Sequence, residues 1–591
     1  MATFISAASV VSAQQVAFDI RTNDDDLREA LVDASLVRSA KDEGRTDPQD
    51  IIAAANADYA KLLSVLYQFG YYSGVINIRV DGQEAARMSP FARPSGIGRV
   101  VVRVDPGRPF TFGRAEIGPL APGTELPENF RRGERARARI IQRTVDAGIE
   151  GWRDVGRAKA ELAGQNLVAD HRAKTLIAQL ALRPGPVVYF GDLVQTSRSA
   201  VRPERLQAIA GLPTGERFSP DELETSAKRL RRTGAFKSVS LTEAEELRDG
   251  NVMDIRMDVA DEKPRRFGFG AEISGNEGLT LSSFWLHRNL LGGAERLRFD
   301  ARVGGIGSEE GGFNGREGID YEVAGRFERP ATFGADTTLY VAGRIAREDE
   351  PNYLSDQIEL GFGFSRIVTD KLTVEAGLAL RYSDETDVTG NSEFFHLLVP
   401  LRATYDSRDI PLDPAEGYYL QAEVMPFISL DNTDSGARIK LDGRTYRQLD
   451  SDGLFTVAGR LQFGSVLGSS ISDTPQEFLF YSGGGNTVRG HPYQSLGVNT
   501  GGGLTGGRSF VAASAELRVD LPGSFDPVAF YDVGYIGPEA IYDGSGRWHS
   551  GAGVGLRYAT GIGPIRLDVA LPVSGSTGDG VQVYIGIGQA F

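Results

Sequence analysis

The residues best placed to do chemistry in this chain are an arginine in a glycine-rich stretch and two carboxylates downstream of it. Arg489 sits in Gly484-Gly485-Asn486-Thr487-Val488-Arg489-Gly490-His491-Pro492-Tyr493. Asp532 follows in Phe530-Tyr531-Asp532-Val533-Gly534, and Glu516 lies between them in the run Ala512–Val519. A guanidinium is a planar fork of donors that matches carboxylate geometry. The chemistry expected is structural: Arg489 pins its loop against strands that carry Asp532 and Glu516. The competing reading is a solvated loop arginine. Charge reversal at Asp532 is expected to weaken the protein, and paired reversal with Arg489 to rescue it.

Other chemistries lack their residues. The chain has no Cys, which removes disulfides, thiolate metal sites and a Cys nucleophile. Its five histidines (His171, His287, His396, His491, His549) are scattered, and none has a partner at metal-ligand spacing. There is no phosphate loop, no nucleophile elbow and no nucleophile–base constellation, so neither an enzyme nor a cofactor or metal is expected. A net charge of −15 argues against a nucleic-acid partner.

The elements that must position these side chains are strands. From Arg265 onward the sequence alternates. Leu297, Phe299, Ala301 and Val303 face one way while Arg296, Arg298, Asp300 and Arg302 face the other; Ile565, Leu567 and Val569 alternate with Arg566 and Asp568. Rows of charge on an inner face would ruin the core of a soluble sandwich, the competing architecture here, but a water-filled barrel lumen accepts them. Residues 265–591 are enough for sixteen strands with turns, given the ~10 residues a tilted strand needs to cross lipid. Acidic, glycine-rich stretches at Gly304–Gly318 and Asp431–Gly436 suit external loops. The final residues place Val583, Ile585, Ile587 and Phe591 on one face and Gln582, Tyr584, Gly586 and Gly588 on the other. Closing strand and membrane-interface aromatic are the roles expected for them.

The first 260 residues or so repeat. Pro106-Gly107 with Phe112-Gly113 recurs as Pro184-Gly185 with Phe190-Gly191, 78 residues later. Gly70, Gly164 and Gly234 are each read as a left-handed helix C-terminus ahead of a strand. Each unit reads strand, helix, helix, strand, strand. Ser219-Pro220-Asp221-Glu222 and Asp47-Pro48-Gln49-Asp50 are helix starts. Ala55, Tyr59, Leu62, Leu63 and Leu66 form the covering face of a helix from Ile51 to Tyr67. The Arg-rich stretch Glu128–Ile149 is read as a solvated helical face, with a binding patch as the competing reading. Residues 1–15 resemble the end of a secretory signal.

Three segments resemble the Omp85 superfamily. The Val488-Arg489-Gly490 loop with Tyr493 is similar to its VRGF/VRGY loop, Phe530-Tyr531-Asp532-Val533-Gly534 to its F-x-D-x-G strand, and Glu516 falls where the preceding strand carries an acid. Asp406-Ser407-Arg408-Asp409 with Pro414 and Gly417, and Asn289-Leu290-Leu291-Gly292 with Glu295, also look like family landmarks. One departure is His491, where the family usually has an aromatic. The repeats resemble POTRA modules. The implied organisation is a fold of α+β POTRA repeats followed by a transmembrane antiparallel β-barrel of sixteen strands. Its parts are repeats at 16–105, 106–184 and 185–263 and a barrel at 264–591.

Three repeats before one barrel resemble the TamA branch, the outer-membrane subunit of the translocation and assembly module. The resemblance implies a non-enzymatic bacterial outer-membrane factor, with its repeats in the periplasm, that helps barrel proteins such as autotransporters fold and insert. A seam between the strand near Phe267–Ile273 and the strand Gln582–Phe591 would template clients, with Gly586 and Gly588 weakening it. The partners implied are a TamB-like inner-membrane-anchored protein at the first repeat, unfolded outer-membrane proteins and the lipid bilayer, with a link to phospholipid transport also open. A secretion pore for one dedicated soluble protein and a plain channel with periplasmic binding domains are the other readings.

Overall fold

The structure, a computed structural model, describes residues 15–591 apart from 46, 90–95, 275–277, 309–310, 452, 562 and 578–579; the side chains of 272–274 are also outside the description. All of the signal-like segment but Gln15 therefore lies outside the described residues, as do part of the Gly304–Gly318 loop and the side chain of Ile273. Two compact units are present. One comprises Met1–Asp192, Pro213–Leu223 and Glu243–Ile255, and the other Leu193–Leu212, Glu224–Thr242 and Arg256–Phe591.

The first unit contains two small sheets. In one, strand Gln15–Ile20 runs parallel to Arg99–Asp105, which pairs with Val75–Val80 and through it with Gln83–Glu84. The helix Pro48–Gln68 covers this sheet with Ile51, Ala55, Leu62 and Leu66 buried. Asp47 caps it, accepting from the Gln49 N–H at 2.8 Å. Two further helices, Asp25–Ala34 and Leu36–Asp42, make this repeat richer than the expected pattern. The buried Asp58 carboxylate accepts from Ser35 Oγ at 2.6 Å and from the first N–H groups of Leu36–Asp42, at 2.5 Å from Leu36 and 3.3 Å from Val37. An anion there satisfies orphan donors at a helix start. Burial nevertheless pushes this carboxyl above its usual range.

The second sheet, Thr111–Gly118, Thr175–Arg183 and Glu161–Asp170, has one helix among the described residues, Ala138–Asp154. Two expectations are corrected here. The second repeat lacks a second helix in the described residues, and Gly164 is not a helix end. It lies in the edge strand where the register slips between Leu162 and Gly164, and Gly156 (φ +81°) terminates the helix. Of the Arg-rich stretch, only the part from Ala138 is helical, and Arg135 pairs with Asp24 at 3.2 Å. The third sheet orders Tyr189–Gln195, Val252–Asp261 and Phe236–Glu243, with helices Pro203–Ala210 and Pro220–Arg232. It follows the strand-helix-helix-strand-strand order.

In the second unit, seventeen strand segments from Arg265–Ser274 to Gln582–Ile587 pair antiparallel in chain order. Two segments, Gly390–Leu398 and Leu401–Asp406, occupy one place in the sheet, because both pair with Leu372–Asp387 and with Gly417–Ser429. They are broken at Val399-Pro400, where proline has no N–H to give the ladder. The sheet faces are reversed relative to a soluble protein. Phe267 and Phe269 are 64% and 87% exposed, and Val554, Ile585 and Ile587 are also exposed. The opposite face buries Arg381, Glu516, Arg518, Asp532, Arg557 and Asp568. Apolar outside and charged inside is what a hydrocarbon solvent selects.

Between strands Phe455–Leu467 and Ser509–Val519 the chain folds back onto the inward faces. Phe478, Phe480 and Leu496 of this connection pack with Phe427, Phe510 and Ile536 of the wall. The last strand ends at Ile587, short of what the alternation predicts, and this corrects two expectations. Gly588 (φ +88°) turns the chain out of the strand. Phe591 then packs inward on Tyr446 and Ala458, and its carbonyl accepts from Arg518 at 3.4 Å, so it is not an interface aromatic.

Candidate functional site

The site is built on the inward faces of three strands near the end of the chain. Glu516 projects from Ser509–Val519, Phe530 and Asp532 from Phe525–Gly537, and Asp568 from Ile565–Ser574. A period of two puts 530, 532 and 534 on one face.

The Val488-Arg489-Gly490 loop descends onto that face. Arg489 Nε and Nη2 donate to Asp532 at 2.7 and 3.0 Å, a bidentate fork, and its backbone N–H donates to the same carboxylate at 3.1 Å. Nη1 donates to Glu516 at 2.7 Å and Asp568 at 3.1 Å. The guanidinium carbon lies 3.5 Å from the Phe530 ring centroid, a cation–π contact in a desolvated setting. Arg518 pairs with Glu516 at 2.9 Å and Arg557 with Asp568 at 2.5 Å. Three arginines thus meet three carboxylates, all nearly inaccessible to solvent, and a fourth, Arg566, approaches Asp568 at 3.9 Å.

Glycines make the approach close enough. A Cβ on Gly534 would stand 2.6 Å from Ser482 Oγ and 2.8 Å from Val488 Cγ2, so a larger residue would lift the loop off its strand. Gly490 adopts φ +95° and its N–H donates to Tyr584 Oη at 3.1 Å.

The structure therefore brings Val488, Arg489, Gly490, Glu516, Phe530, Asp532 and Gly534 together, and adds Tyr584 from the last strand. Tyr493 goes elsewhere: its hydroxyl lies 3.4 Å from Glu350 at a hairpin end. Gly586 faces inward beside Arg566, and Gly588 and Phe591 leave the strand. Asp568, Arg518 and Arg557 were not singled out as partners by sequence reasoning. Their signal was present as inward positions on alternating strands, but alternation does not say which strands a loop reaches.

A second group missed in the sequence is a hydrogen-bonded chain around His491, where an aromatic was expected. His491 Nε2 lies 3.0 Å from the Ser550 carbonyl, and His491 Nδ1 lies 2.9 Å from Thr577 Oγ1. His549 Nδ1 lies 3.1 Å from the same hydroxyl, and His549 Nε2 lies 2.7 Å from Ser482 Oγ. The two rings stand 4.3 Å apart, centroid to centroid. A carbonyl only accepts, so His491 Nε2 carries the hydrogen. With both rings neutral one order follows: Ser482 donates to His549, His549 to Thr577, Thr577 to His491, and His491 to Ser550. The chain ties the loop to strand Arg547–Tyr558 and to the segment carrying Thr577.

Two family landmarks are local locks. Arg408 makes a two-point pair with Asp406 at 2.8 and 2.9 Å, and Glu295 accepts from the N–H of Gly293 at 2.7 Å.

An antiparallel sheet with an apolar exterior, a charged interior and an inward-folded, ion-paired loop defines a membrane β-barrel class of protein, here preceded by small α/β repeats. The Omp85 superfamily domain matches residues 289–591. The chain belongs to the Omp85 superfamily, and its place is an outer membrane. It is similar to the Arabidopsis thaliana protein "Outer envelope protein 80, chloroplastic", with 21% identity over 539 residues covering 85% of this chain and 69% of that protein. Its fold is similar to BamA from Haemophilus ducreyi lacking POTRA domains 1-3, with a TM-score of 0.62, 16% identity, and coverage of 77% of this chain and 94% of that one. It is also similar to CdiB from Acinetobacter baumannii, with a TM-score of 0.50, 12% identity, and coverage of 80% and 88%.

Proposed function

We propose that this chain is a bacterial outer-membrane insertase of the TamA type, non-enzymatic, with three periplasmic POTRA-like repeats at 16–105, 106–184 and 185–263 and a sixteen-stranded barrel at 264–591. The observation that carries this reading is the seam. Strands Arg265–Ser274 and Gln582–Ile587 approach within 8 Å between Cα atoms. Among the described residues no backbone ladder joins them. Each such edge offers a row of unmade N–H and C=O bonds, a template for an incoming strand. In lipid those groups have no water to satisfy them, so pairing with a client strand is strongly favoured there. Free energy for insertion comes from client folding and burial, with no nucleotide or metal required.

The partner proposed is a TamB-like, inner-membrane-anchored β-rich protein at the first repeat. The support is the three-repeat count, together with the parallel edge strand Gln15–Ile20, which leaves one side of a small sheet open to augmentation. Photo-crosslinking in cells from positions 59–72, read by mass spectrometry, tests the assignment. Recovery of a long inner-membrane-anchored β-rich protein is the expected result. Recovery of assembly lipoproteins, or of one secreted protein, would reassign the chain to the central insertase or to a secretion pore.

A further inference from the structure

The connection Gly468–Arg508 carries a second charge that the Arg489 cluster does not use. Glu477 Oε2 accepts from Arg381 Nη2 at 2.6 Å and Oε1 from Arg344 Nη1 at 3.1 Å. Arg344 and Arg381 belong to strands Thr337–Glu350 and Leu372–Asp387. The neighbouring Gln476 N–H donates to Glu385 at 2.7 Å on the second of these strands. The Arg489 cluster is held by strands far along the sheet order, from Ser509 onward. The connection is therefore fastened at two points, to walls contributed by different halves of the sheet.

The two fastenings have opposite sign. One seats Glu477 on Arg344 and Arg381, which also meet Glu322, Glu348 and Glu385 on the wall; the other seats Arg489 on Glu516, Asp532 and Asp568. Arg381 is 2% exposed, and its other carboxylate neighbour, Glu385, is at 3.7 Å. Its Nε and Nη1 have no hydrogen-bond partner among the described residues. Glu477 is thus the nearer of its two carboxylates, and withdrawing the loop would leave this buried cation with only Gln357 at 2.8 Å and the more distant Glu385.

We propose that Glu477 is the second anchor of the loop and that the loop, so fastened, is a fixed strut that keeps the lumen closed. Glu477 is a positioning residue acting through the loop. The inference rests on reading the sheet as a membrane barrel, which the heat-dependent band shift of the folded wild-type protein on detergent gels tests separately.

The experiment is single-channel conductance in planar bilayers for wild type, E477Q, R381Q and the double variant, each first checked for the band shift. The wild-type chain is expected to stay closed. E477Q should raise the occupancy of a high-conductance state at least about tenfold, and R381Q by less, because Arg344 still holds Glu477. The double variant should be no more open than E477Q alone, because E477Q already removes the ion pair that R381Q breaks. An E477Q chain that folds and stays closed overturns the proposal, and so does multiplication of the two effects. Should E477Q fail to fold, the wall-side pair R344Q/R381Q removes the same ion pairs, and a closed trace from that chain overturns the proposal equally.

Discussion

Replacing Arg489 by Gln should destabilise the folded barrel more than any other single change in the loop. Of its three carboxylate partners, Glu516 keeps Arg518 and Asp568 keeps Arg557. Asp532 has no second cation within ion-pair distance among the described residues. R489Q therefore leaves one buried, unpaired carboxylate, a loss of about 3–5 kcal/mol, with up to about 2 kcal/mol more from the contact with Phe530. At roughly 2–4 °C per kcal/mol for a large domain, the midpoint of the heat-dependent band shift should fall by on the order of 10 °C. D532N should cost less, about 1–2 kcal/mol, because Arg489 retains Glu516 and Asp568 and its N–H can still donate to the amide oxygen. Paired reversal, R489D with D532R, would rescue a simple two-membered bridge. Here it should fail, because a carboxylate at 489 would face both Glu516 and Asp568. A midpoint within about 2 °C of wild type for R489Q, a D532N effect as large as that of R489Q, or rescue by paired reversal would each refute this account of the cluster.

T577V should remove the central link between His491 and His549, orphan a nitrogen on each ring, and lower the same midpoint by the equivalent of about 1–3 kcal/mol; an unchanged midpoint would break the assigned hydrogen-bond order. G534V should push Val488 off its strand and open the lumen in conductance traces, while a closed trace would show that the close approach is dispensable. Arg229 of helix Pro220–Arg232 makes a two-point pair with Asp336 at 2.6 and 3.0 Å, and that hydrogen bond holds the Asp336 carboxyl below its usual range. A depressed carboxylate contributes fully above its unfolded value of about 4 and loses its contribution as pH falls through the folded value. The protection of residues 220–232 against hydrogen exchange, relative to the intrinsic rate, should therefore be high and constant from neutral pH down to about 5 and fall on further acidification, whereas D336N should start less protected and lose that dependence. Equal protection of wild type and D336N at neutral pH would contradict it. D58A should destabilise the first repeat by about 2–4 kcal/mol through three lost hydrogen bonds to a carboxylate, read as the urea midpoint of the full chain's first transition.

Much of this was legible because periodicity is a local property. The alternation of Leu297–Val303 with Arg296–Arg302, and of Ile565–Val569 with Arg566–Asp568, gives the sheet faces directly. Gly70 and Gly234 mark helix ends because each takes a positive φ there. Gly164 misled because a glycine at a register slip in an edge strand reads the same as a glycine after a helix. Phe591 misled because alternation continues on paper past Gly588, whereas the positive φ of Gly588 ends the strand. The Arg489 loop was visible as composition plus two carboxylates. The third carboxylate, Asp568, and the anchor at Glu477 were not visible, because both depend on which distant strands the loop touches.

The central claim is that an unpaired seam between Arg265–Ser274 and Gln582–Ile587 templates client strands. Because the chain has no native Cys, a Cys pair placed across these strands can be closed by oxidation without side reactions. The decisive measurement is the rate at which a urea-unfolded outer-membrane barrel acquires its heat-resistant band in liposomes containing this protein, with the clamp oxidised and then reduced. The account predicts acceleration over empty liposomes, its loss on oxidation and its return on reduction. Acceleration that survives a fully formed clamp would contradict the seam as the working element, and no acceleration in either state would contradict the insertase itself.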